Sequence, residues 1–308
     1  MDKLRAAVIG VGYLGRFHAQ KYATLEGVEL VGVVDADATR AAAVGAETHA
    51  PALVDYRDLL GKVDLVSVVV PTEAHFEVVK AFLESGAHVL VEKPITQTVA
   101  EAEALVALAG QHGRIFQVGH LERFNPAWLA LRPRIRSPLF IEAHRLAPFK
   151  PRGTDVSVVL DLMIHDVDLI LSVVDSPVRE VRASGAPVLT EGVDIGNARI
   201  EFENGCVANL TASRVSAGTL RKMRLFQKDE YLAIDFGERR LNMAHRQDGA
   251  EPPIVMEQIE VAPGDALMSE VRAFVEAVRK GAPAPVSGED GKRALALALE
   301  IGRLMNTH

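Results

Sequence analysis

The sequence predicts an α/β domain with a parallel sheet, followed by an α+β domain with a largely antiparallel open sheet. Three observations predict it. Short apolar runs alternate with amphipathic segments through residues 1–120. A glycine turn, Gly10-Val11-Gly12-Tyr13-Leu14-Gly15, directly follows the apolar run Ala6-Ala7-Val8-Ile9. Beyond His120, β-like runs succeed one another at hairpin spacing.

In chain order, strands are expected at Leu4–Ile9, Val28–Val34, Leu65–Val70, His88–Val91 and Ile115–Val118. Helices are expected at Arg16–Leu25, Ala38–Val44, Thr72–Ser85 and Val99–Gly110. Strands this short and apolar need cover on both faces, which parallel sheets with crossover helices supply. Arg123–Leu131 reads as a helix, and Pro133, Pro138, Pro148, Pro151 and Gly153 then punctuate a stretch expected to be irregular. Helical periodicity returns over Asp155–Val173. Strands follow at Val178–Ser184, Asp194–Phe202, Cys206–Ser213, Arg221–Gln227, Glu230–Asp235 and Ile254–Val261, separated by turns such as Glu203-Asn204-Gly205 and Lys228-Asp229. Helices Ala266–Arg279 and Gly288–Leu304 come last. Residues 1–120 are thus the expected dinucleotide domain. Residues 121–308 are the expected substrate-binding and oligomerisation domain, with a C-terminal helix free to pack back on the first.

Composition narrows the function classes. The formal charge of -7 gives no general attraction to nucleic acid or anionic membrane, and no basic stripe stands out. A single cysteine, Cys206, excludes an intrachain disulfide framework and a cysteine metal cluster; its strand-like surroundings suit a buried apolar role. The apolar stretches are too short for a membrane span and no secretory signal is recognisable, so a cytoplasmic protein without membrane insertion is expected.

The glycine turn carries the first chemistry. After a strand, Gly10 permits the turn, Gly12 lets phosphates approach, and Gly15 lets the helix pack on the strand. Tyr13 and Leu14 complete this cofactor loop. Asp35, at the end of the second strand, suits the adenosine ribose hydroxyls and repels a 2′-phosphate, which favours NAD over NADP. Thr72 and His75 lie beyond the third predicted strand, at the carboxyl edge where such folds bind ligands.

Glu92-Lys93-Pro94 ends the next strand. The Lys93 ammonium can hydrogen-bond a substrate hydroxyl and stabilise alkoxide character as hydride leaves its carbon; a solvated lysine is the alternative. Pro94 restricts Lys93 to an extended conformation, and the bond between them is a candidate cis peptide. Asp161 and His165 stand four residues apart, so a regular helix presents both on one face. Asp161 can then orient the ring while His165 accepts a proton. A core histidine paired with Asp168 is the rival reading, with Asp166 pointing elsewhere. No convincing third ligand accompanies His165, so no metal is expected. Arg123 and Asn125 are candidate substrate contacts, although Asn125-Pro126 is also an ordinary helix start. Arg145, Lys150 and Arg152 add positive charge suited to a diphosphate or to a solvated loop.

Taken together, Gly10–His18, Pro71-Thr72-Glu73-Ala74-His75, Glu92-Lys93-Pro94 and Asp161-Leu162-Met163-Ile164-His165-Asp166-Val167-Asp168 resemble, in order, the signatures of the glucose-fructose oxidoreductase, inositol dehydrogenase and rhizopine catabolism family. The resemblance spans nearly the whole chain. It implies a Rossmann domain, an open-sheet domain, and oxidation of a sugar or cyclitol hydroxyl. It assigns catalysis to Lys93, Asp161 and His165, and cofactor contacts to Gly10–Gly15, Asp35, Thr72, His75, Glu92 and Lys93. Homodimers or homotetramers are also implied. Many members carry several glycines before the catalytic helix where this chain has Ser157-Val158-Val159-Leu160, which puts the shape of the substrate pocket in doubt.

The segment Gly119–Ala127 resembles the branch that oxidises C3 of UDP-N-acetylglucosamine to a 3-keto sugar for lipid A precursor synthesis. It implies a UDP-sugar substrate held by Lys93, Arg123, Asn125, Asp161 and His165. A UDP-N-acetylhexosaminuronate or other sugar dehydrogenase, an NADPH-dependent carbonyl or imine reductase, and a non-catalytic dinucleotide sensor remain open.

Overall fold

The computed structural model describes residues 3–149, 156–247, 249, 251 and 253–306. Two compact units divide the chain. The first takes Met1–Leu121 and Ala266–Lys292, and the second takes Glu122–Asp265 and Arg293–His308.

In the first unit, β1 (Leu4–Ile9), β2 (Val28–Val34), β3 (Ala52–Leu53), β4 (Leu65–Val68), β5 (His88–Glu92) and β6 (Phe116–Gly119) form one sheet in the order β3-β2-β1-β4-β5-β6. Every pairing is parallel. Its centre is buried on both faces, as the near-unbroken Val/Ala/Leu runs require. The helices are α1 (Tyr13–Thr24), α2 (Ala38–Thr48), α3 (His75–Glu84) and α4 (Val99–Gln111). Local chemistry starts them: the Asp37 side chain accepts from the amides of Thr39 and Arg40 ahead of α2, and Thr98 with Glu101 forms a capping box ahead of α4. The direction of strand order reverses between β1 and β4. The loops after those strands therefore part, opening a crevice at the carboxyl edge.

The two-residue β3 is too short for any periodicity to announce it. Residues 266–292 also belong here, because the helix Ala266–Lys280 buries an apolar face in this unit's core. Leu267, Val271, Phe274 and Val275 of the helix Ala266–Lys280 share a core with Tyr22 of α1 and Val8 of β1. Fully burying Phe274 removes its side chain from water, worth roughly 1.5–3 kcal/mol.

The second unit is built on a sheet of eight strands: β7 (Pro138–Leu146), β8 (Val178–Ala186), β9 (Ile195–Phe202), β10 (Val207–Ser213), β11 (Leu220–Gln227), β12 (Glu230–Asp235), β13 (Arg240–Arg246) and β14 (Ile254–Glu260). Their order is β14-β13-β12-β11-β7-β10-β9-β8, antiparallel except for the β7–β10 pair. The expectation of an irregular stretch after Pro133 is corrected by β7, which lies inside the sheet. Pro138 occupies its first position, where no ladder donor is lost, and the alternation of Ile141, Ala143 and Arg145 toward one buried face was masked by flanking prolines. The strand β13 is a further element that the sequence pattern does not announce.

One sheet face carries the core. Against it lie α5 (Pro126–Leu131), α6 (Ile164–Leu171), and residues 293–305 of α8 (Gly288–Met305), numbering the helix Ala266–Lys280 as α7. Trp128, Leu131, Met163, Ile170 and Ile301 fill this core with Cys206, whose thiol burial pushes up to about 11. A buried thiol of that kind is inert packing. The predicted helix Arg123–Leu131 is split: a 3₁₀ turn spans Leu121–Phe124, and Asn125 caps α5 afresh. The predicted Asp155–Val173 helix begins outside the described residues at Asp155, opens as a π-helical turn over Val159–Met163, and only then becomes α6. Among the described residues no helix is long and apolar enough to cross a membrane.

Candidate active site

The first unit holds the dinucleotide candidates. Gly10 has a φ of +86°, and a Cβ there would lie 2.7 Å from Val69 O and Val70 N. A Cβ on Gly15 would lie 1.9 Å from the Gly10 carbonyl oxygen, so both positions need glycine. At Gly12 a Cβ would meet no atom of the other described residues within 4 Å, leaving an open face at the N-terminus of α1. Neither a capping side chain nor an acidic residue fills the first turn of that helix. Its amides are thereby available to an anion such as pyrophosphate. Leu14 packs into the core and Tyr13 projects outward, its ring edge-on to Phe17 at 5.3 Å.

Asp35 is buried beside this loop. Its carboxylate accepts from the Val11 amide at 3.0 Å, the Asp37 amide at 3.0 Å, and Arg40 Nη1 at 3.1 and 3.2 Å. A cavity of 960 Å³ opens here, lined by Gly10, Gly12, Asp35, Arg40, Tyr56 and Pro71 among others. Its size and its mix of apolar walls with a few polar groups suit an adenosine moiety. The glycine turn, the acid at the second strand and this cavity fit NAD.

The other half of the crevice belongs to the edge of β4–β6. Lys93–Pro94 is a cis peptide bond there, as the sequence left open. Lys93 is half-buried, and its amide donates to Glu92 Oε2 at 3.3 Å. His75 is buried, with Nδ1 2.9 Å from the Pro94 carbonyl oxygen and Nε2 2.9 Å from that of Val70. Burial lowers its pKa, so a neutral ring donates to one of the two carbonyls. The ring thus ties the β4 edge to the Lys93–Pro94 turn, while Thr72 stays half-buried in a 3₁₀ turn before it. Behind the turn lies a network that sequence reasoning missed. His18 Nε2 stands 3.1 Å from Glu92 Oε1, His18 Nδ1 is 3.2 Å from Ser67 Oγ, and Tyr22 Oη is 2.9 Å from Ser67 Oγ. Glu270 of α7 joins it. His18 was visible inside the glycine signature, whereas nothing in the local sequence marked Glu270.

The second unit holds the proposed proton-transfer pair. Asp161 is half-buried within the π-helical turn, its amide donating to the Ser157 carbonyl at 2.9 Å. His165 is half-buried at the start of α6. The expectation of one regular helical face is therefore corrected: a π turn intervenes, a feature frequent at functional sites. Val158 and Val159, the bulky residues of the Ser157–Leu160 segment, are buried core residues that begin this turn.

The remaining polar residues are brought together differently from expectation. Arg123 grips Asp168 with two bonds of 2.7 Å, from Nε and Nη2. Asn125 Oδ1 caps the Ala127 amide at 3.0 Å and its Nδ2 donates to Glu122 at 3.1 Å, realising the helix-start alternative. Arg145 is no loop cation. It is buried on β7, donating to Asp166 at 2.8 and 3.0 Å and to Glu122 at 2.9 Å. Burial opposes its charge, but the Asp166 and Glu122 carboxylates outweigh that penalty and hold the guanidinium protonated. Lys150 and Arg152 lie outside the described residues.

Comparison with known proteins agrees with this architecture. Residues 4–120 match the oxidoreductase family with an NAD-binding Rossmann fold, and residues 138–229 match the GFO/IDH/MocA C-terminal domain. The UDP-N-acetylglucosamine 3-dehydrogenase of Acidithiobacillus ferrooxidans is 42% identical over 305 residues, 98% of this chain and 97% of that one. A solved structure of that enzyme superposes with a TM-score of 0.93 at 41% identity, covering 99% of this chain and 98% of the other. The scyllo-inositol dehydrogenase of Lactobacillus casei, solved with NAD(H) and scyllo-inositol, shares the fold at a TM-score of 0.81 and 21% identity, over 99% and 97% of the two chains. With its parallel Rossmann sheet, mixed open sheet and glycine-turn dinucleotide site, the chain belongs to the GFO/IDH/MocA family of NAD-binding oxidoreductases.

Proposed function

We propose that the protein oxidises the C3 hydroxyl of UDP-N-acetylglucosamine to the 3-keto nucleotide sugar, with NAD as hydride acceptor. The observation that carries this reading is the 42% identity to a UDP-N-acetylglucosamine 3-dehydrogenase across 98% of the chain. Bound NAD would supply the hydride-accepting carbon; Gly10, Gly12, Gly15 and Asp35 would hold its pyrophosphate and adenosine ribose. Lys93 donates a hydrogen bond to the reacting hydroxyl and favours its alkoxide form. His165 accepts the hydroxyl proton, and Asp161 orients the imidazole and supports its charged form. Thr72, His75 and Glu92 support the cofactor side of the Lys93 turn. Arg123 and Asn125 shape the substrate side through their bonds to Asp168 and Glu122.

Replacing Lys93→Ala or His165→Asn tests the roles: turnover should fall by about 10²–10⁴ while NADH affinity changes far less. Near-normal turnover in both variants would remove these residues from catalysis. We further infer a homodimer or homotetramer, supported by the part-exposed second face of the eight-stranded sheet, where Phe140, Phe226 and Tyr231 meet in edge-on and tilted ring contacts. A monomeric mass in solution would contradict that.

A further inference from the structure

We propose that Glu270 carries a proton at neutral pH and acts as a positioning residue for Glu92, leaving a single negative charge beneath the Lys93 turn. The proposal concerns the dinucleotide unit alone and does not depend on which hydroxyl is oxidised. Glu270 sits on α7, wholly buried, and neither of its carboxyl oxygens has a hydrogen-bond partner among the described residues. Yet it faces a polar cluster: ligand-type atoms of His18, Glu92 and Glu270 all lie within 4.8 Å of one another. Two carboxylates at that separation, away from water, repel strongly, so a proton or a cation has to remove one charge.

The hydrogen-bond partners favour Glu92 as the acid that keeps its charge. The Lys93 amide can only donate, so Glu92 Oε2 accepts. If Tyr22 donates to Ser67 and Ser67 donates to His18 Nδ1, then His18 Nε2–H donates to Glu92 Oε1. Both Glu92 oxygens are then acceptors, as a carboxylate requires. The proton falls to Glu270. The groups around Glu270 are His18 and Tyr22 from α1, Glu92 from β5 and Gln117 from β6, whose Nε2 lies 3.5 Å from the Glu270 carbonyl oxygen. Burial, and behind it the charge on Glu92, hold the Glu270 carboxyl well above the usual carboxylate range. A neutral Glu270 excludes water behind Glu92 without adding a second charge, and so keeps the Glu92 carboxylate directed to His18 and the Lys93 amide.

Three readouts test this, none needing the sugar. Difference infrared spectra of wild type against Glu270→Gln should show a protonated-carboxyl C=O band lost in the variant. The sign of the pH effect follows from a raised folded-state pKa: stability is full below the unfolded value of about 4.3 and falls as pH rises toward the folded one. The wild-type unfolding constant should therefore rise, relative to Glu270→Gln, by up to tenfold per pH unit between about pH 5 and 7, where the unfolded chain has ionised this group and the folded protein has not. NADH titration should show binding weakened at least tenfold by Glu270→Ala and recovered by Glu270→Gln, which keeps shape and neutrality. A ratio of unfolding constants that stays flat with pH, or no lost band, would overturn the protonation. Failure of Gln to recover what Ala loses would overturn the positioning role. Stoichiometric metal in the purified protein, with stability lost on chelation, would assign the neutralising charge to a cation instead. Loss of activity toward UDP-sugars alone would bear on the proposed substrate and leave these outcomes unchanged.

Discussion

Arg40 clasps Asp35: its Nη1 lies 3.1 and 3.2 Å from the two carboxylate oxygens, with the acid buried and the guanidinium half exposed. The acid sets cofactor choice in this pair, because it can accept from ribose hydroxyls and repels a 2′-phosphate. Removing it leaves the arginine only its longer 3.4 Å bond to Asp37, so that its guanidinium can turn to a phosphate. Asp35→Ser should raise the KM for NAD by about 10–100-fold, the loss of one or two charge-assisted hydrogen bonds, and shift the NADP/NAD ratio toward NADP. Steady-state kinetics with both cofactors checks it; an unchanged ratio would show that Asp35 merely ends a strand.

The glycine turn separates folding from binding. Gly15→Ala drives a methyl into the Gly10 carbonyl and should lower stability by about 1–3 kcal/mol. Gly12→Ala meets no atom of the other described residues and should leave the melting temperature nearly unchanged, while its methyl takes space beside the helix N-terminus and weakens NADH binding. Thermal melts beside NADH titrations distinguish the two. Equal stability losses would contradict the assignment of Gly12 to the ligand.

Buried charge supports the second unit. Arg145→Ala leaves Glu122 and Asp166 buried with their shared cation gone and should cost about 3–5 kcal/mol. Denaturant unfolding measures this. A loss below ~1 kcal/mol, as for a solvated loop cation, would contradict the buried triad.

A turn before β9 should confer acid sensitivity. Burial opposes the charge of Asp194, but the amides of Leu189, Val188 and Thr190, at 2.6, 2.9 and 2.8 Å, with the Thr190 hydroxyl at 2.8 Å, outweigh it and hold the carboxyl well below the usual range. A depressed folded-state pKa contributes stability that is present above the unfolded value, about 3.9, and is lost as pH falls below it. Asp194→Ala should thus be destabilised at pH 7, and its deficit against wild type should shrink as both are taken below about pH 3.9. A deficit that stays constant with pH would point to lost packing alone.

Much of this architecture was legible because local chemistry and tertiary context agree. Leu4–Ile9 and Val28–Val34 stand where their apolar runs put them, since both faces of a parallel sheet demand one kind of residue. The glycine positions were readable because steric demand at Gly10 and Gly15 is local. The strand β7 was hidden by its prolines, and β3 by its brevity. Long-range partnerships were the least visible. Arg145 reads as a surface cation until the sheet sets it beside Asp166 and Glu122, and Glu270 reads as one helical acid among many until α7 packs on α1. Helical spacing also overstated the regularity around Asp161, where the backbone takes a π turn that no pattern of apolar residues reveals.

The central claim is best tested by incubating the purified protein with NAD and a panel of UDP-sugars and cyclitols, following NADH and identifying the product by NMR. NADH formed one-for-one with UDP-3-keto-N-acetylglucosamine, with UDP-N-acetylglucosamine as the preferred substrate, is the predicted result. Turnover of another sugar or cyclitol with none of UDP-N-acetylglucosamine, or NADH binding with no redox turnover across the panel, would contradict it.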